Sequence, residues 1–439
     1  MKRRVQLLAL TVAAGVLLAA VAATAGYGRS AHPAGKKAGT IEVLSLWGGS
    51  EKDAFTQVTD QFTKNTGITV TYTSARDFIP DITTRLAAGN PPDIAIVPRP
   101  GYLASLAGKG VLKDLGGLGF TSSYMKQRYG SSWIGFGTVG GKLYGLPAKA
   151  NSKSVVWYRP DQFKKLKLTI PKTWTQLVAL TKALKAKGQV PWAVGDGPNQ
   201  SQWVLTDWFE NIYARTAGPA KYQALFTGKL PFTDPSVVTA LQDMVQIVNG
   251  KYTLGGIQGV LGTSFVDGIG NVFGKTPKAQ LYMEGGFVGG IALGQVNTSL
   301  KPGVTIDDFP WPTINPKWDS PVIVGGDYAV AFKDSPDVRQ FLQYITSDAA
   351  GKIWVSTGAV ISPNKLVTGS AYPNALVRKE GAQLASAKTV RFDGSDQMPG
   401  AFGDTWGFAL QKVIQNPSVA NIKKILAGFQ SQIKGQWGS

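Results

Sequence analysis

The chain reads as an α/β protein built on a parallel sheet and divided into more than one lobe. Strand-like and helix-like segments alternate through its first half, the pattern of βαβ units. Residues 86–97, LAAGNPPDIAIV, read as a helix end, a rigid turn and a short apolar strand of the kind buried inside a parallel sheet. About four hundred residues follow the N-terminal stretch, more than one ordinary hydrophobic core accommodates.

The N-terminus comes first. Lys2, Arg3 and Arg4 precede an apolar run, and Ala23-Thr24-Ala25 is a small-x-small cleavage site, so residues 1–25 read as a secretory signal peptide and 26–39 as a flexible linker. The expected location is outside the cytoplasm: extracellular, at the cell surface or periplasmic. Gly26 stands where a lipoprotein signal would need cysteine, so the chain is expected to carry no lipid anchor.

After the linker, 40–47 (TIEVLSLW) reads as a strand. Gly48-Gly49-Ser50 turns into a helix with Ser50 as its N-cap, burying Phe55, Val58 and Phe62 and stopping near Gly67. A second strand is expected over 68–73 and a helix over 79–88. Gly89 supplies a left-handed helix stop, Pro91-Pro92 forbid continuation, and Ile94 to Val97 form the buried strand. That strand ends at Pro98-Arg99-Pro100, and in open α/β sheets ligands bind at this carboxyl edge.

A different unit starts near Leu146-Pro147. A strand is expected over 154–158. Thr173 with Gln176 forms a capping box for a helix carrying Leu177, Leu180 and Leu184 to the core and ending at Gly188. Residues 190–194 read as a strand, 202–252 as largely helical, and 255–294 as glycine-rich. Amphipathic helices are expected over 336–345 and 419–433.

Composition removes whole classes of chemistry. Cysteine is absent and the only histidine, His32, lies in the linker, so no triad, imidazole proton shuttle, thiolate or zinc site is expected. No metal or cofactor is expected. The formal charge of +19 becomes +16 once Lys2, Arg3 and Arg4 are lost, and the basic residues are spread along the chain. Nucleic-acid binding is not expected without a recognisable module. A solvated surface or salt-sensitive attraction to an anionic envelope accounts for the charge.

The order LSLWGGSEKDAF, AAGNPPDIAIV, LYGLPAKANSKSVVWY and PKTWTQLVAL resembles the family-1 extracellular solute-binding proteins of ABC sugar importers. TDWFENIYARTAGPAKY (206–222), PFTDPSVVTAL (231–241), LGGIQGVLGTSFVDG (254–268) and VRFDGSDQMPGAFG (390–403) resemble its α-glucoside-binding branch. The resemblance implies a two-lobed, type II periplasmic-binding-protein-like α/β fold with the ligand cleft between the lobes. Lobe one would comprise 41–149 and 327–362, and lobe two 150–326 and 363–439. Hinges would fall at Ala150, Gly325-Gly326 and Ser362. The implied function is capture of an α-glucoside such as maltose, trehalose or sucrose by a monomer that docks on a membrane permease, without catalysis.

A sugar needs flat aromatic surfaces for its C–H faces and planar polar groups for its hydroxyls. Trp47 ends the first strand, so it is expected in the cleft. Ser50 is a cap or a sugar contact, and Glu51 opens the same helix. Arg76 and Asp77 are a solvated pair or cleft residues, and Arg99 follows the third strand directly. The resemblance adds Trp203 and Asp207, Glu284 and Phe287 in YMEGGFVGG, Asn151 and Asp327 beside the hinges, and Arg391. Asp396 is a ligand contact or a turn residue, and Trp208 is expected in the core. Two rivals stand beside capture: a glycosidase using two carboxylates among Glu51, Asp77, Asp207, Glu284 and Asp327, and a structural or adhesion protein.

Overall fold

The computed structural model describes residues 39–75, 77–198, 202–318 and 320–436. The expected signal peptide, nearly all of the expected linker including His32, and Arg76 lie outside the described residues. Twelve strands occur among the described residues: β1 (Thr40–Ser45), β2 (Thr69–Ser74), β3 (Ile94–Val97), β4 (Thr138–Val139), β5 (Lys142–Leu143), β6 (Leu146–Ser152), β7 (Val155–Tyr158), β8 (Trp192–Ala193), β9 (Leu281–Met283), β10 (Asp307–Pro310), β11 (Val322–Ala331) and β12 (Val390–Phe392). No helix among them is long and apolar enough to cross a membrane.

They form two main sheets. The first runs β12-β11-β3-β1-β2, with β6 also on β11; the second runs β10-β7-β9-β8. β1 is parallel to both β2 and β3, as the βαβ pattern requires, while β11 enters antiparallel to β3 and makes the sheet mixed. Period-two alternation gives each sheet two covered faces. In β1 and β3, Ile41, Val43, Ile94 and Ile96 pack in one core, whereas Leu44, Ala95 and Val97 pack in another. In β7 and β9, Val156, Tyr158, Leu281 and Met283 face one core and Val155, Trp157 and Tyr282 the other.

Helix boundaries follow local signals. The first helix, Gly49–Thr66, buries Phe55, Val58 and Phe62 and stops at left-handed Gly67 (φ 78°). Its N-cap is Gly48, not Ser50: the chain is already helical at Ser50, whose buried hydroxyl has no partner. The Thr173–Gln176 capping box is formed on helix Trp174–Ala186. Helices Pro336–Ile345 and Val419–Ile433 occupy the expected spans.

Three segments cross side by side between the sheets' surroundings. Ala150 in β6 pairs with Gly326 in β11 and bridges to Ile361, its N–H donating to the Ile361 carbonyl at 2.8 Å. The three expected hinge positions are thus neighbours. Gly325 and Gly326 lie within paired strand and lack positive φ. Space, rather than dihedral freedom, explains them. A Cβ at 325 would sit 2.9 Å from both Asn151 Oδ1 and Lys153 Cε, and one at 326 would sit 2.7 Å from the Lys149 carbonyl and from Trp133. Part of the segment after Ser362 stays with the first sheet, since Val367, Tyr372 and Val377 pack in its core and β12 pairs with β11.

Asp93 closes the turn before β3 by chemistry as well as shape. Its carboxylate accepts the Glu42 backbone N–H at 2.7 Å and pairs with Lys333 at 2.9 Å. Asp93→Ala removes the acceptor of a strand amide, so urea unfolding should show a loss of about 1–3 kcal/mol. Unchanged stability would mean that this link does not hold β1 to β3.

Candidate functional site

A cleft of about 670 Å³ lies where both sheets end, within the usual size of small-molecule sites. The carboxyl ends of β1, β2 and β3 deliver Leu46 and Trp47, Phe78 and Ile79, and Pro98 and Arg99 to its rim. From the second sheet, the segment after β8 brings Gly197 and Pro198, and that after β9 brings Phe287. Both sheets obey the carboxyl-edge rule.

The floor is β6. Lys149 and Asn151 in the strand and Lys153 just beyond its end recur every second residue, and all three line the cleft. Lys149 is buried against the Glu51 carboxylate and lies 3.7 Å from Asp327, which accepts the Trp47 indole N–H at 3.0 Å. Lys153 is buried against Asp393, with Asp207 at 3.2 Å and Asp396 at 4.0 Å. Burial opposes both ammonium charges, but the carboxylates outweigh it and hold both lysine pKa values above the ordinary one. Asn151 Oδ1 is buried without a donor.

One wall is aromatic. Trp203 lies 5.3 Å from Phe265 and 5.9 Å from Phe287, and those two are 6.3 Å apart, all tilted or edge-on and all partly exposed. Beside them is a charged rim. Arg99 grips Asp404 with two hydrogen bonds of 3.0 and 2.8 Å and reaches Asp396 at 3.2 Å, while Gln202 donates to Asp404 at 3.2 Å. Flat hydrophobic surface facing fixed carboxylate, amide and guanidinium groups is what a polyhydroxylated ring requires.

Of the residues singled out from sequence, Trp47, Glu51, Arg99, Asn151, Trp203, Phe287 and Asp327 line this cleft, together with Gly325, Gly326 and Asp396. Trp47 does so differently from expectation. It is only 1% exposed, wedged edge-on against Phe55 and Trp354, so it anchors Asp327 instead of offering a stacking face. Asp207 and Glu284 are fully buried beneath the floor, where the fold needs carboxyls to meet Lys153. Ser50 is absent from the lining, with its Cβ against Gly294. Asp77 is exposed just before helix Phe78–Ala87, and its neighbour Phe78 lines the cleft. Arg391 donates to the carbonyls of Pro219 and Val390, away from the cleft. Trp208 is core, as expected.

Lys149, Lys153, Gln202, Phe265 and Asp404 were not singled out from sequence. The K-x-N-x-K alternation across a strand is the one local sign that pointed to the two lysines. Beneath Lys153, Asp207, Glu210 and Asp393 bring carboxylate oxygens within 4.8 Å of one another. Their charge is already met. Glu210 accepts from Tyr222 and from the backbone of Gly394 and Ser395, and Asp393 from Lys153, Ser395 and Asp396. A metal would have to displace these donors.

Comparison with known proteins agrees with this architecture. Residues 48–352 match the family described as bacterial extracellular solute-binding protein. The osmoprotective compounds-binding protein GgtB of Synechocystis sp. is 35% identical over 365 residues, covering 83% of this chain and 85% of that protein. The alpha-glucosides-binding periplasmic protein AglE of Rhizobium meliloti is 33% identical over 383 residues, covering 84% and 81%. Among solved structures, the bacterial solute receptor AcbH superposes with a TM-score of 0.81 at 20% identity, covering 91% of this chain and 99% of that one. Maltose-bound MalE3 of T. maritima superposes at 0.71 and 18% identity, covering 90% and 100%. At these identities the structural matches speak for the two-lobed α/β fold alone.

The buried carboxyls set the pH response. Burial pushes Glu284 up to about 8 and raises Asp207 well above the carboxylate range; Asp207 Oδ2 and Glu284 Oε1 have no other donor, so one proton between them satisfies both. Burial likewise pushes Glu380 up to about 8, and burial with Asp393 nearby pushes Asp396 to about 7. The folded state therefore holds protons that the unfolded chain releases above its ordinary carboxyl pKa of about 4. The stability these four groups contribute is full below that value and is lost as pH rises towards 8. Thermal melts from pH 5 to 8.5 should show a falling Tm, and Glu284→Gln should flatten the slope. A Tm that rises over this range would contradict the shared proton.

Proposed function

The chain belongs to the bacterial extracellular solute-binding proteins, and from that premise we propose that its cleft captures an α-linked glucoside. It is the sugar-binding component of an ABC importer, so its ligand is a carbohydrate and its partner a membrane permease. It is a binding protein, not an enzyme. The observation that carries the α-glucoside reading is the wall Trp203–Phe265–Phe287 facing the Arg99–Asp404–Gln202 rim. The relative named for binding alpha-glucosides, AglE, supports the same ligand class.

Each group has a role in capture. The aromatic wall takes the C–H faces of the sugar, whose burial removes apolar area from water. Asp404 and Asp327 accept hydroxyl protons while Arg99 and Asn151 hold the polar edge. Lys149 and Lys153 fix the floor's carboxyl groups in place, so the ligand meets an ordered surface. Closure of one lobe on the other would bend the three adjacent crossing segments at Ala150, Gly326 and Ile361–Ser362. A ligand drives it only by binding the closed form more tightly. The carboxylates that a glycosidase would need are committed here: Glu51 and Asp207 to lysines, and Asp327 to Trp47 and Lys149.

Titration calorimetry with maltose, trehalose and sucrose tests the proposal. At least one should bind, and Trp203→Ala and Phe287→Ala should each weaken it by about 1–3 kcal/mol. Affinity unchanged in both variants would remove the aromatic wall from the site. A galactoside or polyol binding in preference to all three would replace the ligand class.

A further inference from the structure

Helices Phe402–Gln415 and Val419–Ile433 form an antiparallel hairpin. Their inner faces, Trp406, Leu410 and Val413 with Ile422, Leu426 and Phe429, are core. Their outer faces leave an open groove of about 590 Å³. Phe408 stands at its head with 51% of its surface exposed, the only aromatic side chain left exposed among the described residues. Packing gives no reason for that ring, since Trp406 and Leu410 on either side already serve the core.

Position supplies a reason. Phe408 lines both the sugar cleft and the groove. It sits one helical turn beyond Asp404, the acceptor of the Arg99 pair, on the same helix face. A second link joins the two spaces. Gln411 of the groove donates to the carbonyl of Asp196 at 2.7 Å and to its carboxyl at 2.9 Å, and Asp196 adjoins cleft residues Gly197 and Pro198. Beyond Phe408 the groove carries the amides Gln415, Asn421 and Gln432 with Lys412 and Lys424, and no carboxylate. An aromatic platform followed by planar amides is sugar chemistry, and it is continuous with the cleft.

We infer that the groove between these two helices is an extension of the sugar cleft that takes the outer units of an α-linked oligosaccharide of three or more hexoses, with Phe408 as the stacking platform at the junction. The inference rests on the α-glucoside reading of the cleft. On this reading a disaccharide occupies the cleft and longer chains extend past Phe408 into the groove. Gly428 on the groove wall gives a selective block, because a side chain added there meets nothing within 4 Å and the residue does not line the cleft.

The test is calorimetry on the mature chain with maltose, maltotriose and maltotetraose, and with trehalose as a short control. Affinity should rise by about five- to tenfold from disaccharide to the longer chains. Gly428→Trp should abolish that rise while leaving maltose and trehalose binding unchanged, and Phe408→Ala should also abolish it. A wild-type affinity independent of chain length, or a rise that survives Gly428→Trp, overturns the inference and leaves the proposed function standing. Binding of none of these sugars overturns both.

Discussion

Two buried ammonium groups, one on β6 and one at its end, hold this molecule's centre together. β6 and the residue that follows it carry Lys149 and Lys153 into a region where neither could stay charged alone. Each is therefore surrounded by carboxylates, and those come from elements scattered along the chain. Glu51 comes from the first helix, Asp327 from β11, Asp207 from the buried helix Val204–Thr216, and Asp393 from the loop after β12. Breaking one such contact strands a buried charge, which costs far more than a surface pair gains. These contacts tie the cleft floor to four separate elements.

That constraint explains features otherwise unrelated. Gly325 is glycine because the side chains of Asn151 and Lys153 lie against it. Helix Val204–Thr216 is buried all round yet carries Asp207, Glu210, Asn211 and Arg215 along one stripe, because that stripe faces the lysine and its partners. Trp47 is buried because its indole N–H is needed to hold Asp327. The surface left to a ligand is then the part the two lysines and their partners do not use: the aromatic wall and the Arg99–Asp404 rim.

Much of the fold was legible in the sequence. The β1–helix–β2–helix–β3 order followed from hydrophobic period and glycine stops, and the capping box at Thr173 from two residue types three positions apart. Trp47 and Arg99 reached the cleft because a strand's carboxyl end is readable locally and the sheet rule supplies the rest. The ion-pair web was not legible in this way. Its contacts join residues far apart in sequence: Arg99 with Asp404 is separated by 305 positions, Trp47 with Asp327 by 280, and Lys153 with Asp393 by 240. No local pattern encodes such distances. For the same reason Asp207 and Glu284 looked like candidate ligand contacts, since an acid near a cleft and an acid beneath its floor read alike in one dimension. Trp47 looked like a stacking surface because its burial depends on Phe55 and on distant Trp354.

The most direct measurement is a crystal structure of the mature protein bound to the α-linked disaccharide it holds most tightly. A sugar ring is expected against Trp203, Phe265 and Phe287, with hydroxyls within hydrogen-bond reach of Asp404 and Asp327 and with Lys149 and Lys153 still paired as they are without ligand. A sugar bound elsewhere, or one that displaces Lys153 from Asp207 and Asp393, would contradict a preorganised floor beneath an aromatic wall.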